Sequence, residues 1–218
     1  MENRSGTRLL AVASDKLPTQ AAELLRLLHQ FTVERLDAAR RRSPAVLASV
    51  HEPGKSDVCR AELHSFLRDC WEVLDGLGRE VNVCMYHLFP DAPLYPPGAV
   101  TRQCTFYMVR KKLHDHPKTA GHPVTRLLCD STQAGPSKEY ARLSFLYNIS
   151  LFLPLMLAGA GELPGMADLP EAARPVIRPA QVERCSAEEG VKGIVKWLES
   201  LLAECYDRLT DALAGTTR

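Results

Sequence analysis

In "FYMVRKKLHDHP", residues 106–117, an apolar start runs into three consecutive cations, two histidines flank an aspartate, and a proline closes the segment. Three kinds of chemistry fit such a stretch. A histidine can act as general base on a ribose hydroxyl while an arginine stabilises charge on the phosphate. That assigns catalytic roles to Arg110 and His116, with His114 as a further candidate and Lys111 and Lys112 as binding residues beside them. Histidines and an aspartate can also hold a metal, and His114, Asp115, His116 and His122 are the side chains available. Histidines at i and i+2 point about 200° apart on a helix, so they chelate from one only where it ends, as it does at Pro117. Neither His-Glu-x-x-His nor the repeated His/Glu spacing of di-iron bundles occurs, so no metal and no cofactor are expected. The third reading is a helix terminus, in which cations and histidines offset the negative end of the dipole and Pro117 stops the helix.

A second polar group is less conspicuous. Arg68, Glu72, Asp75, Arg79, Asn82 and Tyr86 recur at three and four along one helix face, and Asp75, Arg79, Asn82 and Tyr86 are its candidate binding residues. Opposite charges at this spacing form either a solvated, self-pairing ladder or, if another helix covers them, a buried network. There is no G-x-S-x-G, phosphate-binding loop, dinucleotide fingerprint or zinc spacing. Cys104 and His114 would lie about 15 Å apart on one helix, too far for a nucleophile and its base.

Arg110 followed six positions later by His116, within a helical chain, resembles the HEPN domains. These are compact α-helical bundles, many of them ribonucleases, marked by an arginine, four to six intervening residues and a histidine. The resemblance implies a metal-independent ribonuclease or RNA-binding component of a toxin or defence system, with Arg110 and His116 meeting at a dimer interface. The stretches "VLDGLGREVN" (73–82) and "LSFLYNISL" (143–151) are also similar to those of bacterial helical-bundle proteins.

The elements that must position these residues follow from helical periodicity. Leu24, Leu25, Leu28, Phe31 and Leu36 make an apolar stripe from Thr19 to Arg42, ended at "RRRSP" by Pro44, with Arg40, Arg41 and Arg42 in the last turn. From Ser56 or Asp57, Cys59, Leu63, Phe66, Cys70, Val73, Leu77, Val81, Cys84 and Leu88 predict a helix of about 30 residues and about 45 Å. Its three cysteines read as small buried hydrophobes, and Gly76 and Gly78 mark a close approach or a bend. Shorter helices are predicted over about 101–114, within "HPVTRLLCDSTQ", and from Ser137. "SAEE" is a capping box that opens the last helix at Ser186, and Gly215 closes it. Trp71 and Trp197 flank apolar stripes as packing or interface residues.

The fold expected is therefore all-α, a bundle of five or six helices in a single domain over 1–218. Residues 1–17 are expected to be a flexible N-terminus, and 89–100 and 158–185 to be proline-rich irregular connectors. Composition agrees with a globular chain: 218 residues, 45% hydrophobic, 24% charged, net charge +1. Near-neutrality argues against a surface coated for nucleic acid, and no DNA sequence readout is expected. Seven cysteines without a C-x-x-C, behind an N-terminus whose longest apolar run is "LLAVA", point to a reducing, cytoplasmic setting. The uncharged run at 143–161 approaches membrane-spanning length, but Asn148, Pro154 and its Gly/Ala-rich end favour a buried helix over a membrane partner. The function these features favour is a non-catalytic helical-bundle interaction protein that self-associates, as a homodimer or larger homo-oligomer, or binds a protein partner. RNA cleavage or binding is the alternative, and a small apolar ligand or metal a third.

Overall fold

A computed structural model describes residues 4–50, 56–99, 104–132, 138–152, 161–169 and 182–216. Among these the chain is almost wholly helical, as the periodicity predicts. The helices are α1 (Arg4–Lys16), α2 (Thr19–Val50), α3 (Ser56–Leu88), α4 (Phe106–Asp115), α5 (Pro117–Ala120), α6 (Pro123–Asp130), α7 (Lys138–Phe152) and α8 (Ala187–Ala214). A short antiparallel ribbon pairs β1 (Glu162–Leu163) with β2 (Cys185–Ser186). Two helices exceed the expected five or six. α5 is a single turn begun by Pro117. α1 stands where a flexible terminus was expected, because Gly6, Leu9 and Ala13 recur at three and four and are buried together.

The chain divides into two compact units. The first comprises residues 1–34, 72–131 and 199–218, the second residues 35–71 and 132–198. Helices α2, α3 and α8 each contribute one part to either unit.

In the first unit, Leu25, Leu74, Leu77, Val81, Met85, Leu113, Leu128 and Leu209 form the core. Cys84 lies fully buried within it, as its place on the apolar stripe requires. Gly76 and Gly78 are sites of close approach: a methyl on Gly78 would lie 2.6 Å from the Phe106 Cα and 2.8 Å from its nitrogen, and one on Gly76 would strike Thr32. After α3 the chain runs through residues 89–96 without helix or strand and makes one 3-10 turn at Pro97–Ala99.

Helix α2 departs from expectation twice. Its buried stripe in the first unit is Ala21, Leu25, His29 and Thr32; of the stripe expected, Leu25 is buried, as is Leu36 in the second unit, while Leu24, Leu28 and Phe31 are half-buried. It also does not end at Pro44 but continues to Val50. A mid-helix proline forfeits one backbone bond and costs about 3 kcal/mol. Pro44 is exposed while Ala39, Val46 and Val50 are buried, so apolar contacts on either side of it offset that cost. Arg40 and Arg42 are therefore mid-helix cations rather than a terminal turn. Arg40 pairs with Asp37 at 2.7 Å, and in the second unit Arg42 reaches the buried Asp69 at 2.8 Å and Glu62 at 3.7 Å.

The second unit packs Phe66, Leu67, Leu143, Phe145, Leu146, Val191, Ile194 and Leu198, with Cys59 and Cys70 buried on α3. Ser186 caps α8 as the capping box predicts, its Oγ accepting from the Glu189 N–H at 3.1 Å. The uncharged run begins in α7; its residues 153–160 lie outside those described, as do "GPS", Ser137 and the side chains of Ser56 and Asp57. Among the described residues no helix is long and apolar enough to cross a membrane.

The contact at Gly78 is backbone against backbone, which cannot swing aside. Gly78→Ala is expected to lower stability in urea by about 1–3 kcal/mol despite alanine's better helix propensity. Gly98→Ala, with nothing within 4 Å, should stay within about 0.5 kcal/mol of the wild type.

Candidate functional site

The residues singled out from sequence gather around α4 in the first unit. Thr105 caps the helix, its Oγ1 accepting from the Met108 N–H. At the other end His116 turns to extended backbone (φ −97°, ψ 125°), as a residue before proline does, and its carbonyl accepts from the Thr119 and Ala120 N–H groups. The Thr119 hydroxyl donates to the Leu113 carbonyl at 2.6 Å, so the last turn of α4 is closed from the turn that follows it. Helix α4 thus ends at Asp115, with His116 extended and Pro117 opening the next turn.

The side chains of that motif have different neighbours. The Arg110 guanidinium lies over the Tyr107 ring, 5.3 Å from its centre, and its charge acts on the Cys129 thiol of α6. The exposed His114 places Nδ1 3.8 Å from the Cys129 sulfur. Burial nonetheless holds that thiol above its ordinary value, with Arg110 pulling the other way, so this pair does not present a ready thiolate. Cys104, buried, is pushed up to about 11 by desolvation. Lys111 is exposed. Lys112 donates to the Pro93 carbonyl at 2.6 Å and sits 4.1 Å over the Tyr95 ring, holding the connector to α4. The His116 imidazole acts on Asp91, whose main partner is Lys118 at 2.7 Å, and the buried His116 Nδ1 has no hydrogen-bond partner among the described residues. Arg110 thus looks toward α6 and His116 toward the connector. Among the described residues no group of three or more His, Cys, Asp or Glu side chains is placed to hold a metal ion.

The polar face of α3 is half-buried at Asp75, Arg79 and Tyr86 and fully buried at Asn82. What covers it is the connector and the start of α4. Asn82 exchanges two hydrogen bonds with the Tyr95 backbone, Nδ2 to the carbonyl at 2.7 Å and the Tyr95 N–H to Oδ1 at 3.0 Å. Asp75 accepts the Phe106 N–H at 3.0 Å, serving the free N-terminus of α4. Tyr86 meets His87 edge to face. Asp75 and Asn82 thus position main chain, and the Arg79 charge acts on Asp75.

The most buried polar group in the first unit was not legible as one. Glu80 of α3 is fully buried, and three side chains from two other helices converge on it. His29 Nδ1 lies 3.1 Å from one carboxylate oxygen; the other accepts from the Thr32 hydroxyl and, at 3.1 Å, from the Tyr206 hydroxyl of α8. The His29 imidazole also packs edge-on against Tyr206, with ring centres 5.0 Å apart. Burial first, and Glu80 second, push the Tyr206 phenol well above its ordinary value, so it remains a donor. The available signal was polar residues on apolar stripes: Glu80 between Leu77 and Cys84, and His29 and Thr32 between Leu25 and Leu36.

The second unit holds a file of half-buried rings: His64, Tyr147, Trp71, Tyr140 and Trp197, each 5.5–6.4 Å from the next. His64 Nδ1 lies 3.0 Å from the Ser150 hydroxyl, which donates its own proton to the Tyr147 carbonyl at 2.7 Å. With its proton committed to the main chain, Ser150 is not set up as a nucleophile. Comparison with protein-family models, with curated proteins and with solved structures finds no match for this chain.

Two consequences are measurable. Glu80→Ala removes the acceptor from three buried groups and is expected to cost about 3–5 kcal/mol, against about 1–2 kcal/mol for Tyr206→Phe, both by urea unfolding. Asp75 is a pH-sensitive position: burial raises its carboxyl above the usual value, with the Phe106 N–H and Arg79 opposing the rise. The folded chain then holds that proton more tightly, so the contribution is present at low pH and lost as pH climbs from about 3.9 through the folded value. Asp75→Asn keeps an oxygen for the Phe106 N–H and removes the titration. Its stability should therefore fall less than the wild type's between about pH 4 and pH 6.

Proposed function

We propose that this chain is a non-catalytic helical interaction protein that works by contact with another protein through the outer face of α4 and α6. The observation that carries the reading is the exposure of Tyr107 (51%) and Met108 (36%) on a short helix whose other side is fully engaged. Tyrosine, methionine and arginine are enriched where proteins meet, and they adjoin here as Tyr107, Met108 and Arg110. One catalytic candidate and three binding candidates have structural employment: His116 ends α4, Lys112 and Asn82 hold the connector, and Asp75 serves the N-terminus of α4.

The rival reading, a HEPN-like ribonuclease, requires Arg110 and His116 to converge on one phosphodiester. In one chain they have different neighbours, Cys129 and Asp91. Purified protein incubated with labelled single-stranded RNA, beside Arg110→Ala and His116→Ala, separates the two. No cleavage beyond that of the variants is expected. Cleavage by the wild type that both substitutions abolish would replace the interaction reading with the ribonuclease.

A further inference from the structure

We infer that His122 is a proton-operated latch on α6: neutral, its imidazole caps the helix, and protonated, it releases the first turn. The ground is a hydrogen bond of fixed polarity. The Val124 N–H donates to His122 Nδ1 at 3.2 Å, and His122 has the extended backbone of a cap (φ −66°, ψ 140°). A backbone N–H only donates, so Nδ1 is the bare nitrogen of a neutral ring whose hydrogen sits on Nε2. Pro123 supplies no N–H, which makes Val124 the first donor of the helix and the imidazole its acceptor.

Thr105 and Ser186 cap α4 and α8 with hydroxyls, which keep their hydrogen bonds at any moderate pH. An imidazole instead changes charge between about pH 5 and 8. Once Nδ1 gains a proton it is a donor facing a donor, and the ring's charge lies at the positive end of the helix dipole. Both effects drive the ring off Val124.

The surroundings do not oppose this and confine it to one turn. The connector places the Phe89 ring edge to face with His122 at 5.4 Å, and its Asp91 is engaged by Lys118 of α5. From α8, Arg208 pairs with Glu204 and donates to the Pro123 carbonyl at 2.6 Å. On α4, Arg110 and His114 address Cys129, near the other end of α6, and Asp115 is exposed, as are Arg126 and Asp130 on α6 itself. Burial, with no charged neighbour contributing, holds the His122 ring below its ordinary value. The cap's contribution is therefore complete above about pH 6.5 and lost as pH falls from there through the folded value. Val124, Leu127 and Leu128 are buried, so the body of α6 stays packed when its cap is lost. Because α6 forms part of the face proposed for contact, acid would loosen that face; this consequence rests on the interaction reading, while the latch itself does not.

His87 of α3 is also held down by burial, so overall stability does not single out His122, and the readout is the Val124 amide. The test is NMR amide exchange of the full chain from about pH 7.5 down through the titration of the His122 ring, expressed as protection factors. Val124 protection should fall about tenfold as the ring protonates, while Met108, capped by Thr105, keeps its own. His122→Asn, a cap with no proton to gain, should hold Val124 protected throughout, and His122→Ala should leave it poorly protected at every pH. Circular dichroism checks that the variants fold, and the asparagine variant suffices if the alanine one does not. At neutral pH the ring nitrogen shifts should place the hydrogen on Nε2. Constant Val124 protection in the wild type, an unchanged pH response in His122→Asn, a hydrogen on Nδ1, or global unfolding before the ring titrates would overturn the inference.

Discussion

The constraint on which the first unit depends is the fully buried Glu80 carboxylate. Removing such a group from water is costly, and only convergent donors make it tolerable. Thr32 and His29 from α2 and Tyr206 from α8 meet that need. Because each must point at the same two oxygens, α2, α3 and α8 can take only the rotations and heights that bring them there. Gly76, one turn before Glu80, belongs to the same device: its missing side chain is the space into which Thr32 fits. Apolar stripes alone would let neighbouring helices slide by a turn at little cost; a carboxylate with named partners does not. Buried polar groups of this kind define a unique packing more than they add stability.

The surroundings of α4 show residues that look chemical put to structural use. A ten-residue helix behind an irregular connector has little packing area of its own. It is held by a carboxylate at its N-terminus, a lysine to the connector and a threonine closing its last turn. Asn82 fixes the connector from the other side through the Tyr95 backbone. With its inner side so occupied, α4 can expose Tyr107 and Met108 without loss of order.

Much of the fold was legible in the sequence because helical period survives in long elements. α3 and α8 repeat apolar residues over eight or nine turns, so an error at one position does not mislead, and Ser186 announces its cap by spacing alone. Where the period is read through polar residues it fails. On α2 Leu25 and Leu36 are buried as their spacing predicts, but His29 and Thr32 look like surface and Phe31 looks like core, and the Glu80 network reverses that preference. Pro44 was read as a stop because its local cost is visible in sequence while the burial of Val46 and Val50 is not. α1 was missed because three small or isolated apolar residues give too faint a stripe. The Asp75–Asn82 face was legible as polar but not as a clamp, since its partners are main-chain groups 31 and 13 residues away.

The ring file of the second unit has a practical meaning. The chain has two tryptophans, and both, Trp71 and Trp197, belong to that file. Intrinsic tryptophan emission is therefore a local witness to one half of the molecule and blind to the half built on Glu80. Helical ellipticity draws on both. A melting curve followed by the two signals together can thus distinguish a chain that loses its halves in sequence from one that loses them at once.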